Sequence, residues 1–190
     1  MSFDKDEQFS RHKDVLLKPI WGDASYEGRF VITGSEFLQR VHGIDVIMQR
    51  DEWREYTLDT KHVRGEYECL YLEEWSCTIP GREKPGWIIK ENGHPDIVPW
   101  FFWPSCSRCY NDCLVCEKLL KTHMYIISFE LLRNWFIENR SIFEKKYQHH
   151  INETINRTSG WLVPVLELQE KIGIRDKGYY EFSNKELVKV

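Results

Sequence analysis

Two neighbouring runs decide the fold of this chain, residues 41–48 (VHGIDVIM) and residues 56–61 (YTLDTK). The first run is apolar around Asp45, and the second ends in Asp59 and Lys61. The polar segment 49–55 (QRDEWRE) separates them, and two strand-like runs joined by a short polar turn are typical of a β-hairpin. The sequence therefore predicts a hairpin that carries two carboxylates and a lysine.

The spacing of these residues favours metal-dependent chemistry. Side chains alternate across a strand, so Asp59 and Lys61 point to one face, and the hairpin brings Asp45 beside them. Two carboxylates at one point repel each other unless a divalent cation lies between them, and Mg²⁺ or Mn²⁺ prefers such oxygen ligands. A metal with Lys61 beside it can activate water and stabilise the charge that develops on a phosphate. We therefore predict hydrolysis of phosphodiester bonds.

The same residues resemble the PD-(D/E)xK nuclease superfamily, whose pattern is Gly-x-Asp on one strand and (Asp/Glu)-x-Lys on the next. The match is residues 43–45 (GID) followed by residues 59–61 (DTK). Residues 39 to about 103 are also similar to uncharacterised bacterial and phage members, through 73–76 (EEWS) and 85–87 (PGW). The resemblance implies the restriction-endonuclease-like fold, an α/β domain with a mixed sheet flanked by helices. It also implies a Mg²⁺-dependent endonuclease that cuts DNA.

A further acid on the first helix is implied by the resemblance. Residues 4–18 can form that helix, with an imperfect apolar stripe. We choose Glu7 as the acid that completes the site, and Glu36 is its competitor because it lies nearer to Asp45 in the sequence.

Two other functions stay open at this point. A single Asp or Lys at the end of a strand is usually a solvated edge residue, so the chain can also be a catalytically inactive nuclease fold that serves as a binding module. Alternatively, it is a zinc-stabilised interaction protein. The feature that discriminates between them is the convergence of Asp45, Asp59 and Lys61, which only an enzyme requires.

Four cysteines fall within one short segment, Cys106, Cys109, Cys113 and Cys116. Two CxxC pairs can bind one Zn²⁺ ion, although the spacing between the pairs is short for a zinc ribbon. An iron–sulfur cluster and reduced thiols are the alternatives. We expect this cysteine-rich loop, about residues 104–118, to be an insertion in the core sheet.

Length and composition predict one domain over residues 1–190. A chain of 190 residues that is 42% hydrophobic can bury a substantial core. No apolar run is long enough to span a membrane and the first residues are charged, so we expect a cytoplasmic protein. The net charge of −4 requires that any DNA surface be local, and Arg50, Arg54, Lys61 and Arg64 flank the predicted site. For Arg50 and Arg54 the favoured alternative is a solvated turn shared with Glu52 and Glu55. Homo-oligomerisation stays open.

The second half of the chain predicts further elements. Strands are expected over residues 70–75, which would be the fourth of the sheet, and over 96–103 and 124–128, with Pro99 marking an edge or a bulge. Ser128 should cap a helix that runs from Phe129 through Tyr147. A late strand near 160–165 and a short helix over 166–172 should follow, and Gly173 should end that helix. His149 and His150 are expected to be solvated at the end of the long helix.

Overall fold

A computed structural model describes residues 29–32, 44, 46–51, 54–58, 61–64, 68–103, 120–153, 157–183 and 186–189. Within these ranges the chain is a mixed α/β fold with two sheets and few helices. The predicted α/β class is therefore confirmed. Among the described residues, no helix is both long and apolar enough to cross a membrane.

The larger sheet has the strand order β1-β2-β3-β7-β8-β11-β12, and β4 also pairs with β7. Its strands are β1 (Arg29–Ile32), β2 (Val46–Asp51), β3 (Arg54–Leu58), β4 (Lys61–Arg64), β7 (Ile97–Trp103), β8 (Leu120–Ser128), β11 (Arg175–Ser183) and β12 (Glu186–Lys189). The pairings of β3 and β4 with β7 are parallel, and the other pairings in this sheet are antiparallel. The sheet is therefore mixed, as predicted.

The smaller sheet has the order β6-β5-β10-β9. Its strands are β5 (Cys69–Cys77), β6 (Lys84–Pro85), β9 (Gln148–Asn152) and β10 (Thr158–Pro164). The prediction that residues 70–75 extend the first sheet is wrong: they form a strand, but it belongs to this second sheet. Leu70 and Leu72 on β5 are fully buried and pack with Trp161 and Val163 of β10 against the common core, which a place in the second layer allows.

The hairpin predicted around the two acids is confirmed. Strands β2 and β3 pair in antiparallel fashion, with Val46 opposite Leu58. On the other side, Leu58 of β3 pairs with Ile97, and Lys61 of β4 pairs with Trp100. The offset is 39 residues in both pairs, so β3 and β4 follow one register along β7.

Pro99 does not mark an edge, which corrects the prediction. Strand β7 lies inside the sheet, and Pro99 pairs with Ile126 in a regular register with β8. On its other side, the described pairings of β7 are at Ile97 and from Trp100 to Trp103. Pro99 falls between these two blocks of described pairings.

The helices follow the predicted local signals. Helix α1 (Phe129–Asn139) is capped by Ser128, whose hydroxyl accepts the Leu131 N–H at 3.5 Å. A 3₁₀ turn (Arg140–Ile142) and helix α2 (Phe143–Lys146) continue it, so the predicted helix is interrupted. Helix α3 (Val165–Ile172) ends at Gly173, whose φ of 63° suits a left-handed cap.

His149 and His150 were predicted to end a helix, and this is wrong. The helix ends at Lys146, and both histidines lie on strand β9. Both residues are exposed, as expected. The change follows from β10, because Trp161 pairs with His149 and Gly160 with His150, so β9 gains backbone hydrogen bonds that a longer helix would lose.

One hydrophobic core joins the two sheets and the helices. It contains Trp100 and Phe102 from β7, Tyr125 and Ile127 from β8, and the buried face of α1. The smaller sheet contributes buried residues of β5 and β10 to the same cluster. Strand β4, which begins at Lys61, pairs with β7, and β7 contributes Trp100 and Phe102 to this core.

Candidate functional site

Of the residues predicted to form the nuclease site, the structure describes Lys61. Asp45, Asp59 and Glu7 lie outside the described residues, as do Glu36 and the cysteines Cys106, Cys109, Cys113 and Cys116. Their predicted roles as metal ligands stay predictions. The geometry around them comes from Val46 and Leu58, which neighbour Asp45 and Asp59 in the sequence and are partners in the β2–β3 ladder.

Lys61 is half-buried at the first position of β4. Its ammonium lies 5.4 Å from the centroid of the Trp87 ring, a distance at which a cation and an aromatic face attract each other. Trp87 itself packs against the rings of Trp100 at 6.1 Å and Phe129 at 5.9 Å. The core therefore positions the indole, and the indole helps to position Lys61.

The Pro85-Gly86-Trp87 motif explains how Trp87 reaches Lys61. Gly86 is buried and donates its N–H to the Glu74 carbonyl at 2.7 Å. A Cβ atom at Gly86 would lie 2.2 Å from the Glu73 carbonyl oxygen. The backbone at residue 86 therefore lies so close to β5 that the position requires glycine. The motif is thus a structural device that ties the smaller sheet to Trp87.

Asp96, which directly precedes β7, holds β3 in place, and no sequence motif predicts this role. One carboxylate oxygen of Asp96 accepts both the N–H of Thr57 at 2.8 Å and its hydroxyl at 2.9 Å. In return, the Asp96 N–H donates to the Thr57 carbonyl at 2.9 Å. The only sequence signal was its position just before an apolar strand. These bonds hold the strand end next to Asp59 in register.

A second polar cluster lies between the two sheets. Glu68 precedes β5, and its carboxylate accepts the Tyr125 hydroxyl at 2.6 Å and bonds with Nδ1 of His123. On the other side of the imidazole ring, Asp176 Oδ1 lies 2.8 Å from Nε2 of His123. His123 is buried, while the side chain of Asp176 is 43% exposed. The cluster joins Glu68 to strands β8 and β11 of the larger sheet.

A third cluster surrounds Glu74, an acid in the predicted EEWS motif. Glu74 is buried, and its carboxylate accepts two bonds from Arg140, at 2.5 and 2.8 Å, and one from the Trp161 indole N–H at 2.8 Å. The Arg140 guanidinium also lies 5.0 Å from the centroid of the Trp161 ring. A bidentate pair of this kind is rigid and satisfies a buried carboxylate.

A second ion pair joins helices α2 and α3. Lys146 bonds with Glu167, and the Tyr147 hydroxyl donates to the same carboxylate at 2.6 Å. Burial pushes the pKa of Glu167 upward, but the hydrogen bonds from Lys146 and Tyr147 outweigh it and hold that pKa below its usual value. Burial raises the pKa of Tyr147, so its hydroxyl stays protonated and keeps donating.

No group of three or more His, Cys, Asp and Glu side chains among the described residues could hold a metal ion. Glu68, His123 and Asp176 illustrate why, because the two carboxylates face opposite nitrogens of one ring. They cannot all direct lone pairs at one point.

Comparisons with protein-family models, with curated proteins and with solved structures gave no match.

Proposed function

We propose that this protein is a divalent-metal-dependent endonuclease that hydrolyses DNA phosphodiester bonds at the junction of β2, β3 and β4. Asp45 and Asp59 would bind Mg²⁺ or Mn²⁺, Lys61 would supply a positive charge, and Glu7 would complete the site. The observation that carries the proposal is the register of the hairpin, in which Val46 and Leu58 are partners.

This register supports convergence of the two acids. In an antiparallel ladder, paired residues project to the same face and their Cβ atoms lie about 5 Å apart. The proposal extends the pairing of Val46 with Leu58 by one residue, so that Asp45 faces Asp59. The acids would then share one face of the sheet.

The common offset of β3 and β4 supports the place of the lysine. Leu58 and Lys61 keep one register along β7. The proposal needs Asp59 and Lys61, two residues apart, on one face, and this common register is consistent with the alternation of side chains along an extended chain. Lys61 on this face contacts Trp87, which belongs to the core side of the sheet.

The residues suit the chemistry that the proposal assigns to them. Carboxylate oxygens are the ligands that Mg²⁺ prefers, and the ion, when bound, polarises the phosphate and activates water. The Lys61 ammonium stabilises negative charge on the phosphate oxygens in the transition state. Trp87 limits the positions that this ammonium can occupy.

A cleavage assay tests the proposal. We expect the wild-type protein to cut supercoiled plasmid or single-stranded DNA with Mg²⁺ or Mn²⁺ but not with EDTA, and Lys61→Met and Asp59→Asn to abolish cutting. Lys84→Met is the matched control, because Lys84 is exposed on β6. Circular dichroism melts verify that the variants fold. A wild-type protein that cuts no form of DNA, or a Lys61→Met variant that retains full activity, overturns the proposal.

The cysteine cluster carries a separate proposal of structural zinc. Cys106, Cys109, Cys113 and Cys116 would bind one Zn²⁺ ion, for which thiolates in CxxC pairs are suitable ligands. Elemental analysis of freshly purified protein should give about one zinc per chain. A finding of iron with labile sulfide, or of neither metal, contradicts it and leaves the nuclease proposal intact.

A further inference from the structure

A cavity of about 540 Å³ opens beside Glu74, and neither Lys61 nor Trp87 lines it. Its walls combine aromatic rings with carboxylates and one guanidinium. The lining residues are Glu74, Trp75, Arg140, Glu144, Tyr147, His149, Ser159 and Trp161. The volume is in the range of small-molecule sites.

A β-bulge shapes this cavity. Ser159 of β10 pairs with Trp75 while the next residue, Gly160, pairs with Glu73, so Glu74 is the extra residue on β5. Bulges re-aim side chains, and here the successive residues Glu74 and Trp75 both line the cavity. A Cβ atom at Gly160 would lie 2.4 Å from the Leu72 carbonyl oxygen, so the bulge requires glycine at that position.

The charge of the lining is negative. The fork of Arg140 is bound to Glu74, so this guanidinium is neutralised within the wall. Glu144, an exposed residue of α2, adds a second carboxylate. The two carboxylates of the lining outnumber its one guanidinium, which disfavours an anionic ligand such as phosphate.

The aromatic rings that line the cavity differ in how much of their surface already contacts other side chains. Trp161 is 5% exposed and has Arg140 over its ring and His149 against it. The ring of Tyr147 has the Lys146 ammonium 5.2 Å from its centroid. Trp75 is 38% exposed, so part of its indole ring is accessible to a ligand.

We propose that this cavity binds a small organic cation with a guanidinium or primary ammonium group, held by the Trp75 indole and the Glu144 carboxylate. The wall already contains one such arrangement, in which Arg140 lies over Trp161 and is bound by Glu74. Trp75 and Glu144 offer the same pair of groups to a cation from solution. This site is separate from the proposed nuclease site and does not depend on it.

Titration calorimetry with agmatine, which carries both cationic groups, tests the proposal. We expect saturable one-site binding, with ethylguanidine and butylamine as separate arms that identify the preferred group. The neutral butanol and the anionic pentanoate should not bind. Trp75→Leu and Glu144→Gln should each weaken agmatine binding roughly tenfold, in line with the loss of one cation–π contact or one charge-assisted bond.

The control variant is Glu130→Gln, because Glu130 is an exposed acid on α1 that does not line the cavity. Its agmatine affinity should equal that of the wild type. Absence of saturable binding to wild-type protein overturns the proposal, and so does butanol or pentanoate binding as tightly as agmatine. Equal losses in Glu144→Gln and Glu130→Gln also overturn it, because they indicate a non-specific effect of surface charge.

Discussion

Glu68, just before β5, and Glu74, on β5, each bind a basic side chain from a distant part of the chain, yet the two clusters have different structural roles. Glu68 bonds with His123 and Tyr125 of the larger sheet, and its side chain is 27% exposed. Glu74 bonds with Arg140 and Trp161, and its side chain is 10% exposed. The Glu68 cluster joins the sheets, whereas the Glu74 cluster forms the wall of a cavity. We expect the exposure of the acid to decide how much unfolding free energy the loss of its basic partner costs.

The largest effect is expected for Arg140→Met. This change leaves the buried Glu74 carboxylate with the Trp161 N–H but no charged partner, and breaking a buried pair typically costs about 3 kcal/mol of unfolding free energy. Urea denaturation measures the loss. The double variant Arg140→Met with Glu74→Gln should recover most of it, because no buried charge remains. A loss below about 1 kcal/mol, the value for a surface pair, contradicts this account of Glu74.

The next effect is expected for Gly86→Ala, which acts on the backbone of β5 beside Glu74. The new Cβ would lie 2.2 Å from the Glu73 carbonyl oxygen, and overpacking of this kind costs about 2 kcal/mol. The control is Gly81→Ala, where nothing lies within 4 Å and only the positive φ of 78° is unfavourable, at about 1 kcal/mol. If urea denaturation shows that both variants lose the same free energy of unfolding, the close approach of Gly86 to the Glu73 carbonyl does not exclude a side chain at this position.

A smaller effect is expected for His123→Phe. Phenylalanine keeps an aromatic ring at this position, but it lacks the two nitrogens that bond with Glu68 and Asp176. Both carboxylates are partly exposed and can regain water, so the loss should be about 1 to 2 kcal/mol and smaller than for Arg140→Met. Urea midpoints of the two variants measured together decide the order. The reverse order would show that exposure of the remaining acid does not control the cost.

Much of the local structure could be predicted because its signals are local. The two apolar runs on either side of the polar segment 49–55 predict the hairpin, Ser128 predicts the start of α1, and Gly173 predicts the end of α3. The partners of β5 could not be predicted in this way. Glu74 and Trp161 are 87 residues apart, and no short-range pattern links them.

The candidate site shows the same limit. Lys61 was identified from its spacing to Asp59, whereas its contact with Trp87 depends on how the two sheets pack. An acid directly before a strand is not a specific signal, so the sequence does not predict the role of Asp96. Its bonds to Thr57 depend on β3 lying beside β7. Sequence spacing thus identifies residues within a strand, and the packing of strands identifies their partners.

The smallest effect concerns pH and His94, a histidine whose surroundings contrast with those of His123. The His94 ring stacks on Phe129, with centroids 4.8 Å apart, and Nε2 lies 3.0 Å from the Glu91 carbonyl oxygen. Burial lowers the pKa of His94, the bond to Glu91 partly opposes this, and Arg133 and Lys90 lower the pKa further.

Because the pKa of His94 is lower in the folded state, the unfolded chain takes up a proton first as the pH falls below about 6.5. The contribution of His94 to stability is therefore present above that pH and is lost as the pH falls toward the folded-state pKa. We expect His94→Gln to reduce the stability difference between about pH 7 and about pH 5, and by less than the losses above because the ring is only partly buried. Urea titrations of both proteins at the two pH values measure it. An unchanged or larger pH dependence in His94→Gln would show that the folded protein does not disfavour a charge at this ring.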